Sequence, residues 1–85
     1  MRKVAFVPAA LEDFTQWSTV DKKIYSRIVD LIKDIQRDPF NGIGKPEALK
    51  HDLRGLWSRR INDKHRLVYK VSDEEVVITS CKFHY

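Results

Sequence analysis

The sequence predicts an α+β domain in which two helices from the N-terminal half pack on a mostly antiparallel sheet, in the order β-α-α-β-β-β. Two observations predict the helices and a third predicts the sheet. Apolar residues recur at helical spacing over residues 10–17 and again over 24–35. Three strand-like segments then follow with connections of only three or four residues, which require antiparallel pairing. The 85 residues are expected to form a single domain, 1–85.

The first strand and helix are predicted within residues 3–19. Residues 3–7 are typical of a short strand, and Pro8 favours a helix start because proline is tolerated in the first turn. The helix should end near residues 18–19. Four residues form its apolar face: Ala10, Leu11, Phe14 and Trp17.

The second helix is predicted between Asp21 and Pro39. Asp21 is the expected N-cap, because its carboxylate can accept hydrogen bonds from the first helical amides. Pro39 should end the helix, since the residue before a proline avoids helical backbone angles. The apolar stripe is expected to pack in the core: Ile24, Ile28, Leu31, Ile32 and Ile35.

An irregular loop separates the helices from the remaining strands. Residues 39–47 hold two of the three glycines and two of the three prolines, so they should form neither a helix nor a central strand. Strands are predicted at 55–61, 65–71 and 76–83, with turns at 62–64 and 72–75. The loop is therefore a place where functional groups can be displayed.

Positive charge is concentrated in the middle third of the chain. The net charge is +4, yet residues 45–70 hold eight Lys and Arg against three Asp and Glu. Such a patch draws polyanions, and arginines mixed with aromatic residues such as Trp57 and Tyr69 favour nucleic acid as the partner. A solvated face of scattered lysines is the alternative interpretation.

Composition also predicts where the protein works. No stretch approaches the roughly 20 apolar residues of a membrane helix, and the apolar run near the N-terminus is too short for a secretory signal. Cys81 is the single cysteine, so no internal disulfide can form, and it should be a small buried residue. We therefore expect a cytoplasmic protein with no membrane association.

Arg60 and Arg66 are predicted to be neighbours on the sheet face that points away from the helices. The large apolar residues of both strands alternate with these arginines and should face the core. A three-residue turn at 62–64 would place the two arginines directly opposite each other. Like charges in that position are destabilising, so the pair invites an anion between them. A solvated sheet face is again the alternative.

His84 and Tyr85 end the chain after an apolar strand that can hold them in place. A positioned histidine can give or take a proton near neutral pH. The other two histidines have simpler roles: His51 is expected at the surface, and His65 is expected to be structural.

Glu47 lies in the irregular loop, where a salt bridge to a nearby lysine is its simplest role. With two arginines, a histidine and a lysine it nevertheless forms a set that can cleave an RNA phosphodiester. The carboxylate can take the proton of a ribose 2′-hydroxyl, arginines can stabilise the crowded phosphate, and protonated histidine can protonate the departing 5′-oxygen. No metal is needed, and the sequence has neither metal-ligand spacing nor a phosphate-binding glycine loop.

Four segments resemble the YoeB/Txe toxins of the RelE superfamily: residues 44–53, residues 55–61, residues 64–69 and the closing His84-Tyr85. The resemblance runs nearly end to end. It implies the RelE/YoeB-like, microbial-RNase-like fold. It also implies a ribosome-dependent endonuclease that cuts mRNA in the ribosomal A site by 2′-hydroxyl attack and so inhibits translation, without a cofactor.

The resemblance also implies roles for individual residues. The family's general base, phosphate-binding arginine, general acid and substrate-positioning aromatic fall on Glu47, Arg66, His84 and Tyr85. Two further cationic positions of the family's cleft fall on Lys50 and Arg60.

The expected partners follow from the same resemblance. They are mRNA on the ribosome, a YefM-type antitoxin whose acidic segment folds onto the toxin, and a second copy in a homodimer. Two alternatives stay open: a basic module that binds RNA or the ribosome without chemistry, and an antitoxin-binding partner that has lost its activity.

Overall fold

A computed structural model describes residues 1–83, and the last two residues lie outside it. The elements follow in chain order: β1 (Lys3–Phe6), α1 (Pro8–Val20), α2 (Lys22–Arg37), β2 (Glu47–Ala48), β3 (Leu56–Arg60), β4 (Arg66–Val71) and β5 (Glu75–Ser80). A single 3₁₀ turn, His51–Leu53, connects β2 to β3. The predicted α+β class and element order are confirmed, and the structure adds the two-residue strand β2 within the segment that links α2 to β3.

Local signals set the helix boundaries as predicted. Pro8 occupies the first position of α1. The Asp21 carboxylate caps α2 by accepting hydrogen bonds from the amides of Lys23 (3.0 Å) and Ile24 (3.2 Å). Helix α2 stops at Arg37, and the residue before Pro39 has an extended backbone, as a following proline requires.

The sheet has the strand order β1-β5-β4-β3-β2. Strand β1 runs parallel to β5, and the other three pairs are antiparallel. A β-bulge interrupts the β4–β5 register, so that Tyr69 pairs with Ile78 but Val68 pairs with Ser80. The extra residue reverses the alternation of β5. Ile78 therefore faces the core before the bulge, and Cys81 faces it afterwards.

Both helices contribute to a core on one face of the sheet. The buried cluster comprises Ala10, Trp17, Ile28, Leu31, Ile35, Ile61, Leu67, Tyr69, Val76, Ile78 and Cys81. Leu11 was expected on the apolar face of α1 but is 49% exposed. The buried positions of α1 follow a narrow stripe through Ala10 and Trp17, and Leu11 lies about 100° around the helix from Ala10.

Arg59 is fully buried on the core side of β3. The sequence places it there by alternation but does not indicate its partners. Its guanidinium donates hydrogen bonds to the Asp34 carboxylate, the Tyr69 hydroxyl and the carbonyls of Asp38, Asn41 and Ile43. These contacts attach the loop over residues 38–44 to α2 and to the sheet.

We expect Arg59→Met to lower the free energy of unfolding by about 3–5 kcal/mol, because the carboxylate and loop carbonyls lose a buried donor. Urea unfolding followed by tryptophan fluorescence measures this loss. Arg37→Met is the matched control: Arg37 binds the same carboxylate, but its side chain is 65% exposed. Its loss should cost much less than the loss of Arg59, because solvent screens an exposed ion pair. Equal losses of unfolding free energy in Arg59→Met and Arg37→Met would show that burial does not strengthen the contacts of Arg59.

The Asp34 carboxylate should make stability depend on pH. Hydrogen bonds from Arg37, and then from Arg59 and the Ile43 amide, lower the pKa of Asp34 from 3.8 to about 2, although desolvation opposes them. A lowered pKa in the folded state stabilises the fold above the unfolded-state pKa, and the effect is lost as pH falls through the folded-state value. The unfolding free energies of the native chain and Asp34→Asn should therefore differ most above about pH 4 and converge near about pH 2. A difference that stays constant in urea titrations across this range would contradict the assignment.

Candidate active site

The strand register brings three of the predicted site residues to one face of the sheet. Glu47 pairs with Ser58 across β2 and β3, and Arg60 pairs with Arg66 across β3 and β4. Directly opposed residues in antiparallel strands point to the same face, and so do residues two apart on one strand. All four side chains therefore lie on the face opposite the helices. The predicted cross-strand pairing of the arginines is confirmed.

These side chains line an open groove of about 350 Å³. Its wall is completed by the end of the irregular loop. The full lining comprises Gly44, Lys45, Pro46, Glu47, Ser58, Arg60 and Arg66. Lys45 and Ser58 were not predicted as site residues, although strand alternation already placed Ser58 beside Arg60.

The two arginines are held differently. Arg66 Nη1 donates to the carbonyls of Asn62 (2.7 Å) and His65 (3.2 Å), which fixes its guanidinium beside the β3–β4 turn. The side chain of Arg60 is 42% exposed, and its guanidinium lies 3.7 Å from the exposed Asp63 carboxylate. Arg60 Nε is buried and has no hydrogen-bond partner among residues 1–83. The groove therefore presents donors suited to a phosphate.

Close packing of the loop against β3 positions Glu47. The Gly44 carbonyl accepts a hydrogen bond from the Arg60 amide at 2.6 Å. Gly44 has φ of +79°, and a Cβ at this position would lie 2.7 Å from Leu31 Cδ2. Only glycine combines this backbone angle with such a close approach. The chain then enters β2 at Glu47, beside the groove.

Lys50 lies in a neighbouring groove rather than in the groove of the arginines. The second groove has a volume of about 420 Å³ and is lined by residues 47–51 and Leu53. Glu47 lines both grooves. Lys50 could therefore contact a long polyanion that extends past Glu47, but it does not face Arg60 and Arg66 across the same groove.

The predicted general acid, His84, and Tyr85 lie outside the described residues. The last described residue, Phe83, does not line the groove but is bound to the backbone of Arg66, which does. Its carbonyl accepts a hydrogen bond from the Arg66 amide at 3.1 Å. The residue that precedes His84 in the sequence is therefore bound to the backbone of Arg66.

The other two histidines and the cysteine do not line the groove of Glu47, Arg60 and Arg66. His65 is buried and His51 is exposed, as expected. Burial raises the pKa of the Cys81 thiol to about 12, so it remains protonated at neutral pH. Across residues 1–83, no group of three or more His, Cys, Asp and Glu side chains could hold a metal ion. No described helix is long and apolar enough to cross a membrane.

Sequence comparison matches nearly the whole chain to one family. The family model described as YoeB-like toxin of bacterial type II toxin–antitoxin system matches residues 6–85. Toxin YoeB of Mycobacterium bovis is 55% identical over 85 residues, which cover 100% of both chains. Toxin YoeB of Streptomyces coelicolor is 52% identical over 83 residues, covering 98% of this chain and 99% of the relative.

Solved structures show the same fold. The YoeB dimer from Staphylococcus aureus superposes with a TM-score of 0.92 at 48% identity, covering 99% of this chain and 98% of that one. A YoeB–YefM complex from the same species gives a TM-score of 0.91 at 46% identity, covering 100% and 99%. YafQ from Escherichia coli shares the fold at 14% identity, with a TM-score of 0.78 and coverage of 99% and 94%.

We expect inorganic phosphate to bind between Arg60 and Arg66, because an anion relieves the repulsion of two facing cations. Arg60→Gln and Arg66→Gln should each weaken phosphate binding at least about tenfold, which corresponds to roughly 1.4 kcal/mol, within the range for a hydrogen bond to a charged group. Isothermal titration calorimetry at low salt measures the dissociation constant. Lys70→Gln is the control: Lys70 is an exposed cation on β4 that does not line the groove. Equal weakening by all three substitutions would indicate attraction to net charge alone.

Proposed function

The chain belongs to the YoeB family of toxins of bacterial type II toxin–antitoxin systems, and we propose that it is a nuclease that cuts RNA. It is a ribosome-dependent endoribonuclease that cleaves mRNA in the ribosomal A site and thereby inhibits translation. The observation that carries this proposal is the shared groove. A carboxylate, Glu47, and two arginines, Arg60 and Arg66, line one open surface. A groove open to solvent can accept a strand of RNA presented by a much larger particle.

The proposed reaction begins with proton removal from the substrate ribose. Glu47 takes the proton of the 2′-hydroxyl, and the resulting oxygen attacks the adjacent phosphorus. The bond from phosphorus to the 5′-oxygen of the next nucleotide breaks. His84 donates a proton to that oxygen, so the products are a 2′,3′-cyclic phosphate and a free 5′-hydroxyl. Glu47 and His84 carry out the two proton transfers, and the proposed reaction uses no metal or cofactor.

The cations stabilise charge that develops at phosphorus. Arg66 and Arg60 donate hydrogen bonds to the phosphate oxygens, whose charge increases in the crowded transition state. Their pairing across β3 and β4 supports this role. Tyr85 positions the substrate next to His84. Lys50, in the neighbouring groove, binds the RNA strand where it continues beyond Glu47. The positive charge of residues 45–70 supports the approach of the polyanion.

Proposed partners follow from the relatives. Because a Staphylococcus aureus YoeB was solved with YefM, we propose that a YefM-type antitoxin binds this chain. The S. aureus YoeB dimer supports a homodimer. Substrate and antitoxin would both meet the protein in the cytoplasm. An acidic segment of the antitoxin would compete with mRNA for the same basic surface.

We expect Glu47→Gln and His84→Ala each to slow cleavage of ribosome-bound mRNA at least about 100-fold, since each removes one proton-transfer group. Primer extension on programmed ribosomes measures the rate, and cosedimentation with ribosomes measures binding, which should not change. Glu12→Gln is a matched control, because Glu12 lies on α1 and does not line the groove. Replacing the scissile nucleotide with its 2′-deoxy form should abolish cleavage by the native protein.

The same measurements separate the alternatives. A non-catalytic binding module would bind ribosomes without producing A-site cuts, and its growth arrest would persist in the Glu47→Gln and His84→Ala variants. A partner without activity would leave the message intact and would still bind the antitoxin.

A further inference from the structure

The segment that follows β5 is attached to the rest of the protein by hydrogen bonds at Cys81 and Phe83. The indole Nε1 of Trp17 donates to the Cys81 carbonyl at 3.0 Å. The Phe83 amide donates to Nδ1 of His65 at 2.7 Å. The Phe83 carbonyl accepts from the Arg66 amide at 3.1 Å. The amide and the carbonyl of Phe83 are thus held by two consecutive residues, His65 and Arg66.

His65 is itself held firmly. It is 6% exposed, and its ring packs edge-on against Trp17 with 5.0 Å between centroids. Its amide donates to the side-chain oxygen of Asn62 at 2.8 Å. Because Nδ1 accepts a hydrogen bond from a backbone amide, that nitrogen carries no proton, and the neutral ring has its proton on Nε2. A rigid acceptor therefore faces the Phe83 amide.

The backbone of Phe83 depends on these hydrogen bonds. Its φ of +62° lies in the left-handed region, which is unfavourable for a residue other than glycine. Phe83 is 52% exposed, so burial of its ring contributes only part of what holds this backbone conformation. Such a conformation persists only where the surroundings require it. The acceptor of His65 and the amide of Arg66 meet that requirement.

We propose that His65 is a positioning residue for the general acid. By accepting a hydrogen bond from the Phe83 amide, it fixes the backbone of the residue that precedes His84 in the sequence, while the amide of Arg66 holds the Phe83 carbonyl. The proposal rests on the proposed function, since it acts through His84. Reaction rates fall by up to about 100-fold when a reacting group is displaced by about 1 Å, so loss of this hydrogen bond should be visible in the rate.

Two substitutions of nearly identical shape test the acceptor. His65→Asn keeps an acceptor oxygen close to the position of Nδ1, whereas His65→Leu removes it, and both lose the ring contact with Trp17. We expect His65→Leu to lower the single-turnover cleavage rate on saturating ribosomes about 10- to 100-fold. Ribosome affinity should not change. His65→Asn should restore the rate to within about threefold of the native value. Equal rates for the two variants at equal unfolding free energy would overturn the proposal.

A chemical variant tests the same hydrogen bond without changing His65 and does not depend on how well the substituted proteins fold. Cys81 allows a synthetic peptide of residues 81–85 to be ligated to a thioester of residues 1–80, which yields the full chain. An ester in place of the peptide bond between Lys82 and Phe83 replaces the Phe83 N–H with an oxygen, so the hydrogen bond to His65 is lost, and it also weakens the Lys82 carbonyl as an acceptor for the Ser80 hydroxyl. The ester should slow cleavage by the native chain to about the rate of His65→Leu. A rate equal to that of the all-amide ligated protein would overturn the proposal.

Combination with His84→Ala distinguishes this inference from the proposed function. If His65 acts through His84, the double variant His65→Leu/His84→Ala should cleave no more slowly than His84→Ala alone. Multiplied effects would overturn the positioning role and leave the proposed function intact. Cleavage by His84→Ala at the native rate would overturn the positioning role and the assignment of His84 as general acid, because another group would then protonate the leaving oxygen. Absence of A-site cuts by the native protein would overturn the proposed function itself.

Discussion

The conformation of the irregular loop depends on the hydrogen bonds that the buried guanidinium of Arg59 donates. It satisfies three loop carbonyls, a tyrosine hydroxyl and the Asp34 carboxylate at once. A charge buried without such partners is strongly unfavourable, so the loop backbone must converge on Arg59. Gly42 reflects the same constraint, because a Cβ there would lie 1.9 Å from an oxygen of Asp34. An otherwise irregular segment is thus given one conformation.

That constraint extends to the groove through a neighbouring residue. Arg59 and Arg60 are consecutive on β3 and serve opposite faces of the sheet. Arg59 holds the loop from the core side. The amide of Arg60 donates a hydrogen bond to the Gly44 carbonyl, and the side chain of Arg60 lines the groove. Glu47, three residues after Gly44, lines the same groove. The packing of the core and the position of the proposed general base are therefore connected through one short strand.

The open face of the sheet carries features that oppose stability. Arg60 and Arg66 face each other as like charges. Lys45 and Phe83 have positive φ values of 52° and 62°, and each lies within two residues of a proposed catalytic group in the sequence. Local strain of this kind persists when the rest of the fold compensates for it. Hydrogen bonds to His65 and Arg66 hold Phe83 in its conformation, and the Arg59 contacts hold the loop that precedes Lys45. The groove keeps a charge arrangement suited to a phosphodiester.

The sequence by itself determined the features that depend on neighbouring residues and on strand alternation. The Asp21 cap, the element order, the burial of His65 and Cys81, and the facing pair Arg60 and Arg66 were all predicted and are confirmed. Only the tertiary structure decided the partners of Arg59, the β-bulge beside Tyr69, the separate groove of Lys50 and the anchoring of Phe83 by His65. The physical reason is that caps, turns and alternation act over a few residues of chain. The acceptors of a buried charge and the register across a bulge are set by which distant segments meet when the chain folds.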